Sequence, residues 1–508
     1  MVVKINTSGI LGIEGRPVVC ECDLSPGMAH FNIVGLPDTS VRESQERVHA
    51  AMKNSGYAFP FRRITVNLAP ANLKKEGPVY DLAILVGIMA ASGQIEPPPE
   101  DACFLGELSL TGDVRPVTGV LPMVLAAKEA GMRSVFLPAG NADEAANVAG
   151  IDVYPVGNIH ELVDHLTDRA PLQPLPSASF VPTRGIHPDF KHIMGQKAVK
   201  RAMEIAAAGG HNILLIGPPG SGKSMAAKAL PSILPDLTAA EAMETTKVYS
   251  VAGLLSSAHP VVTARPFRAP HHTISAVGMA GGGSTPRPGE ISLANNGVLF
   301  LDELPEFSKS TLEALRQPLE DGQITISRAS GSRTYPGHIM LVCAMNPCRC
   351  GYFGQPGGKC TCTAQSVRNY MSRVSGPLLD RIDIHVNVPA VDYDSLSRRT
   401  EEEPSAEILK RVTAARAIQL DRYRDLGITC NAQLPPALMA AYCTPTDGAR
   451  DLLRKAFDTL GLTARSHDKL LRLARTIADL AGSVQIDIPH IAEAIQLRSL
   501  DRSAYLNH

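Results

Sequence analysis

The sequence has no excess charge of either sign. Its 49 lysines and arginines face 50 acidic residues, a formal net charge of −1. The chain as a whole therefore does not attract polyanions, and any grip on nucleic acid must come from a local basic surface. Long apolar runs are also missing: the longest, Leu82 to Ala91, is about half of what a bilayer span requires. The opening MVVKINTSGILGIEG lacks the basic, then apolar, then small-residue pattern of an export signal. A cytoplasmic location with no membrane partner is the expectation, and there the ten cysteines stay reduced. Internal repeats and low-complexity tracts are absent too.

What remains is a globular composition, 44% apolar and 19% charged over 508 residues, too long for one hydrophobic core. Residues 1–170 alternate β-rich runs (Ile64 to Leu68, Val135 to Leu137) with helical patterns such as Ser40 to Ser55. PLQPLPSASFVPTRG, residues 171–185, reads as an extended linker. From 186 to 390 apolar strands alternate with helical stretches, the pattern of a parallel α/β sheet. Residues 391–508 are patterned as helices, most clearly Asp468 to Ala481, with Leu470, Ala474, Ile477 and Ala481 on one face.

The chemistry concentrates in the third block. The apolar run Ile213 to Ile216 leads into Gly217, Pro218, Pro219, Gly220, Ser221, Gly222, Lys223 and Ser224, followed by a helical pattern. Glycines let the backbone curl so that its N–H groups face phosphates at a helix N-terminus. Lys223 would reach the β- and γ-phosphates of ATP, and the Ser224 hydroxyl would ligate Mg²⁺. Downstream, Val298-Leu-Phe-Leu ends in Asp302 and Glu303. Asp302 would hold Mg²⁺ through water, and Glu303 would polarise the attacking water. A further strand pattern, Ile339 to Ala344, ends near Asn346, whose amide could position that water or simply turn the chain before Pro347. Arg381, in LLDRID, is either a surface ion-pair partner or a cation for a neighbouring subunit's γ-phosphate. Arg465, at the start of the helix pattern from Ala464, is either a solvated charge or a second phosphate sensor.

The run from Phe267 to Asn346, through FRAPHHTISAVGMAGGG, RPGEISLANNGVLFLDELPEF and LRQPLEDGQITISR, resembles the magnesium-chelatase-like branch of AAA+ ATPases. Nearly the whole chain is similar to the ComM/YifB family within it. That resemblance implies an AAA+ P-loop parallel α/β core, a C-terminal helical lid and a homohexameric ring. It also implies an insert around Phe267 to Gly283 and a hairpin before the Asn346 strand. The implied work is ATP-driven, on single-stranded and branched DNA: branch migration of joint molecules in natural transformation, with recombination proteins as partners. A chelatase-type ATPase subunit, or a YifB-like ATPase without DNA motor activity, is the competing reading.

The hairpin can be read from its residues. Gln323 to Arg328 and Ser332 to Pro336 alternate like strands around an Ala-Ser-Gly turn, with Arg328 and Arg333 near the tip. They could grip DNA phosphates or be incidental. His271 and His272 would contact DNA or pack, a second metal site being the alternative.

The first block resembles the proteolytic domain of Lon, an α+β fold, through KKEGPVYDLAILVGIMAASG and LGELSLTGDVRPVTGVLPMVLAAKEAGMRSVFLP. Lon activates a serine nucleophile with a lysine. The positions corresponding to that dyad are Val79 and Leu121, neither of which can exchange a proton. The resemblance thus implies the fold without the peptidase. Finally, Cys348, Cys350, Cys360 and Cys362 lie in the loop 348–362. Two cysteine pairs closing a short loop in a reducing compartment favour structural Zn²⁺; unliganded thiols or an iron–sulfur cluster are the alternatives.

Overall fold

The computed structural model describes residues 2–283, 286–328, 331–355, 359–390, 402–460 and 462–498. The chain divides into two compact units. The first comprises Met1–Val181 with Ala239–Thr263 and Ser327–Tyr335; the second comprises Pro182–Thr238, Ala264–Ile326 and Pro336–His508.

The first unit is built on strands β1 (Val2–Leu11), β2 (Glu14–Ser25), β3 (His30–Val34), β4 (Arg63–Ala69) and β5 (Ala102–Phe104), a small pair β6 (Glu107–Leu108) and β7 (Val114–Arg115), then β8 (Ser134–Pro138) and β9 (Asp152–Val156). The main sheet is seven-stranded, in the order β3-β4-β2-β1-β5-β8-β9. The hairpin β1–β2 alternates as a half-covered sheet should, Val3 and Ile5 inward and Val2 and Lys4 outward. The apolar helix Asp81–Ala91 has no polar stripe and is buried along most of its length. Its one carboxylate, Asp81, is fully buried and accepts hydrogen bonds from Arg47 at 2.6 and 3.0 Å and from the Leu108 N–H at 3.1 Å, as a buried charge must.

A helix from far along the chain, Ala239–Ala252, completes this unit. Its Ser250 carbonyl accepts from Gly119 N–H at 3.1 Å. Its Ser250 hydroxyl donates to Glu144, which also takes the Leu121 N–H at 2.8 Å. Glu144 thereby caps the start of helix Val120–Glu129 and ties it to Ala239–Ala252. Burial pushes its carboxyl up, with the Ser250 and Leu121 hydrogen bonds opposing.

The second unit holds β10 (Ile213–Ile216), β11 (Phe267–Arg268), the pair β12 (Gly281–Gly282) and β13 (Arg287–Pro288), β14 (Val298–Leu301), hairpin strands β15 (Gln323–Arg328) and β16 (Gly331–Pro336), β17 (Met340–Met345) and β18 (Ile384–Asn387). Five of them form a parallel sheet in the order β11-β14-β17-β10-β18. The inner strands are buried on both faces, which is why they read as continuous apolar runs rather than alternation. Helices Ser405–Arg422, Asp447–Leu460, Ala464–Leu480 and Ile488–Gln496 follow.

Two details differ from the sequence reading. Phe267 and Arg268 are not in an insert: they form the sheet's edge strand, where Phe267 stacks on Phe300 with centroids 6.1 Å apart. The excursion follows, as helix Ala276–Ala280 and the β12–β13 pair. Ala481 leaves the apolar face, being the exposed C-cap of helix Ala464–Leu480, whereas Leu470, Ala474 and Ile477 are buried. The hairpin turn residues 329 and 330 lie outside the described residues.

Candidate functional site

The parallel register assembles residues that the chain keeps far apart. Ile216 pairs with Met345 and Leu301 with Cys343, so β10, β14 and β17 end together and release residues 217, 302 and 346 at one edge. Such an edge is where open α/β sheets bind ligands. Gly217 N–H donates to the Met345 carbonyl at 3.2 Å.

Beyond β10 the loop closes through Gly220 (φ +73°) and Gly222 (φ +86°), left-handed conformations that glycine adopts without a Cβ penalty. Helix Lys223–Ala229 starts directly afterwards. Lys223 Nζ donates to the carbonyls of Gly217 and Pro218, both at 2.8 Å, and to Asn346 Oδ1 at 3.2 Å. Burial lowers its pKa, with the Asp302 charge opposing. Ser224 Oγ donates to Asp302 Oδ2 at 2.6 Å. Two oxygen donors side by side fit a small, hard cation such as Mg²⁺. Glu303 is half-exposed in a left-handed conformation (φ +53°), its N–H on Asp302 Oδ1 at 3.0 Å. A non-glycine residue held there is costly and marks a constrained site.

Two contributors were not read from sequence. His272 Nδ1 lies 3.4 Å from Glu303 Oε2, its ring against His271 with centroids 4.1 Å apart. The histidine pair stands out in the sequence, but the carboxylate it meets is set by the fold. Gln196 donates from its amide to the Ser221 carbonyl, pinning the phosphate loop from outside; nothing in its surroundings marks it.

Arg381 and Arg465 join each other rather than this cluster. Arg381 donates to the Pro377 carbonyl at 2.6 Å and to Glu320, and Arg465 lies 3.7 Å from the same Glu320 oxygen. Glu320 was also missed, as one of two adjacent acids in LRQPLEDGQ.

The four cysteines meet. Cys348 Sγ is 3.3 Å from Cys350 Sγ and 3.9 Å from Cys360 Sγ, with Cys350 to Cys360 at 3.6 Å. All four sulfurs lie within 4.8 Å of one another, and among the described residues this is the one group of metal-ligating type. A tetrahedron with Zn–S bonds of about 2.3 Å has edges of about 3.8 Å, so the donor set fits zinc. None of these contacts approaches a disulfide length. The loop reaches the phosphate site, because Gly351 (φ +87°) packs so tightly on Pro219 that a β-carbon would collide.

At the hairpin, Arg328 is exposed, while Arg333 runs beside the β1–β2 turn at Gly12 and donates to the Ser332 carbonyl at 3.1 Å. Val79 and Leu121 are both buried in the first unit's core.

Family models agree with this architecture. "Magnesium chelatase, subunit ChlI" matches residues 189–396, "Subunit ChlI of Mg-chelatase" residues 20–141, and "Magnesium chelatase, subunit ChlI C-terminal" residues 402–498. Competence protein ComM of Haemophilus influenzae is 42% identical over 498 residues, 97% of this chain and 96% of its own. The chain belongs to the ComM/YifB family of magnesium-chelatase-like AAA+ ATPases. YifB of Salmonella typhimurium is 41% identical over 98% of this chain and 97% of its own. Lon protease 2 of Bacillus subtilis is 28% identical over 181 residues, 34% of this chain and 32% of that protein. A family member thus combines a Lon-like α+β part, an AAA+ parallel-sheet core and a C-terminal helical part. ATP and Mg²⁺ are the cofactors such an ATPase implies, and the residues from 217 to 224 with Asp302 fit them. No helix among the described residues is long and apolar enough to cross a membrane.

Proposed function

We propose that this ATPase is a homohexameric ring motor that drives branch migration of joint DNA molecules, as competence for natural transformation requires. The observation that carries the reading is the meeting of Lys223, Ser224, Asp302, Glu303 and Asn346 at one sheet edge, in a chain collinear with a protein named for competence. Lys223 binds the β- and γ-phosphates once they displace its carbonyl partners. When bound, Mg²⁺ would neutralise charge that develops as the phosphates are cleaved. Ser224 and Asp302 hold that ion, Glu303 accepts the proton of the attacking water, and Asn346 orients the water. Arg381 serves the γ-phosphate of the adjoining subunit, with Arg465 beside it. The tetracysteine loop carries structural Zn²⁺ and braces the phosphate loop through Gly351 and Pro219. Arg328 and Arg333 grip DNA phosphates, the local cations that a chain of net charge −1 needs. The Lon-like part contributes assembly and no peptidase chemistry.

The test is a labelled three- or four-way junction. Wild-type protein with ATP and Mg²⁺ should convert it to strand-exchanged products, and Lys223→Ala should abolish conversion. Binding to single-stranded and branched DNA should fall steeply from low to moderate salt. Arg328→Ala with Arg333→Ala should weaken it while nucleotide still binds. No binding at low salt, or junction resolution without ATP, would overturn the motor reading in favour of a chelatase-type ATPase.

A further inference from the structure

Glu320 is the meeting point of two arginines from distant parts of the chain. It lies in the last turn of helix Arg316–Asp321. Arg381 follows helix Gly376–Leu379, and Arg465 sits in the first turn of helix Ala464–Leu480. The Arg381 backbone is fixed on every side. Its N–H donates to the Leu378 carbonyl at 2.9 Å, and its carbonyl accepts from Asn212 Nδ2 at 3.2 Å. Two residues on, Asp383 is held by Lys469 Nζ at 2.9 Å and by the Asn212 N–H at 3.1 Å. Lys469 and Arg465 share one helix. That helix therefore touches both the backbone segment carrying Arg381 and the carboxylate that its guanidinium meets.

The side chains contrast. Arg381 has 9% of its side-chain surface exposed, against 69% for Arg465 and 45% for Glu320. With one nitrogen on the Pro377 carbonyl and another on Glu320, Arg381 cannot swing freely. The hydrogen bond from Arg381 holds the Glu320 carboxyl below its usual range, with the charges of Arg381, Arg465 and Arg316 adding and slight burial opposing. It is anionic at neutral pH. Two guanidiniums side by side repel each other, and a carboxylate between them offsets that repulsion while fixing the planar fork in direction.

We propose that Glu320 is a positioning residue that holds Arg381 and Arg465 as one cationic pair directed at the nucleotide of an adjoining subunit. This rests on the reading of Arg381 as a residue acting across the subunit interface. Glu320 touches no substrate; it acts through the arginines. A guanidinium misplaced by about an ångström loses much of its effect on the transition state, roughly 10²-fold, while its subunit's own phosphate loop still binds ATP.

The experiment is steady-state ATP turnover by full-length wild type, Glu320→Ala, Glu320→Gln and Arg381→Ala, each alone and mixed with Glu303→Gln subunits. Thermal melts accompany each variant; truncating a half-exposed side chain should leave them near wild type. Glu320→Ala should lower kcat by roughly 10- to 100-fold with KM for ATP within about threefold. Glu320→Gln, which keeps the acceptor oxygen, should recover part of the loss. Mixing Glu320→Ala with Glu303→Gln should restore activity, because intact phosphate loops would then face intact arginine pairs. Unchanged or raised kcat in Glu320→Ala overturns the proposal. So does rescue of Arg381→Ala but not of Glu320→Ala by mixing. Failure to rescue Arg381→Ala itself would strike the interface reading, and the proposal with it.

Discussion

Ser224 Oγ and Asp302 Oδ2 lie 2.6 Å apart in a direct hydrogen bond, although one opens the helix after β10 and the other follows β14, with β17 between those strands. Ser224 and Asp302 would be the residues that hold Mg²⁺, and that hydrogen bond would yield to the ion. Asp302→Asn should fold normally and lower turnover by roughly 10²-fold or more. Ser224→Ala should shift the Mg²⁺ dependence of the remaining activity to higher concentration. Turnover titrated against Mg²⁺ checks both; wild-type curves for both would remove these residues from the metal site.

Arg381 makes no hydrogen bond or ion pair with Lys223, Ser224, Asp302 or Asn346 of its own chain. Arg381→Ala should therefore bind nucleotide yet lose about 10³-fold in turnover, the scale of finger residues. Glu303→Gln should bind and trap ATP. Mixing the two inactive proteins should restore part of the activity. Absence of rescue, with subunit exchange verified, would count against action across an interface.

Each chain should carry one zinc on Cys348, Cys350, Cys360 and Cys362. Thiolate ligation contributes directly to loop order, and Gly351 passes that order to Pro219. Cys360→Ser, or chelation, should lower the melting temperature and weaken ATP binding together. Metal analysis of protein purified without added metal is the direct measurement; an iron–sulfur absorption band or metal-free protein would refute it.

Asp383 pairs with Lys469 at 2.9 Å and lies 3.5 Å from His211, all three largely buried. Burial alone would raise the Asp383 carboxyl, but Lys469 and His211 hold it far below the usual carboxylate range. A depressed folded-state pKa stabilises fully above the unfolded value, about 3.9, and is lost as pH falls through the folded value. Asp383→Asn should cost about 3–5 kcal/mol near neutrality, since it strands the buried Lys469. The share of that deficit owed to the Asp383 charge should shrink only in strong acid, as pH falls through its folded-state value. Urea unfolding from neutrality into acid measures it.

Much of the ATPase core was legible because its strands are short apolar runs that end on chemically distinctive residues. Ile216 before Gly217 and Leu301 before Asp302 need no partner to be recognised. Glu320 was not legible. Its meeting with Arg381 and Arg465 joins three helix ends far apart in the chain, and ion pairs between such ends leave no periodicity in a sequence. His272 shows the intermediate case: unusual enough to notice, but its distance to Glu303 depends on β11 joining the sheet beside β14. Phe267 was placed in an insert by the family resemblance, and two residues are too few for a strand pattern to have overruled it; the Phe300 ring supplies what the pattern lacked.

The first unit draws on three separate stretches of chain, residues 1–181, 239–263 and 327–335. The backbone therefore passes between the units at five points, near residues 181, 238, 263, 326 and 335, and the segment 171–185 is only one tether among them. Nicking that segment with a protease should leave both fragments travelling together on a sizing column. Expressing residues 1–181 alone would strip helix Val120–Glu129 of the neighbour that Ser250 and Glu144 bind to it. In gene-fusion or truncation work, this chain behaves as an interwoven pair whose parts cannot be separated by a single cut.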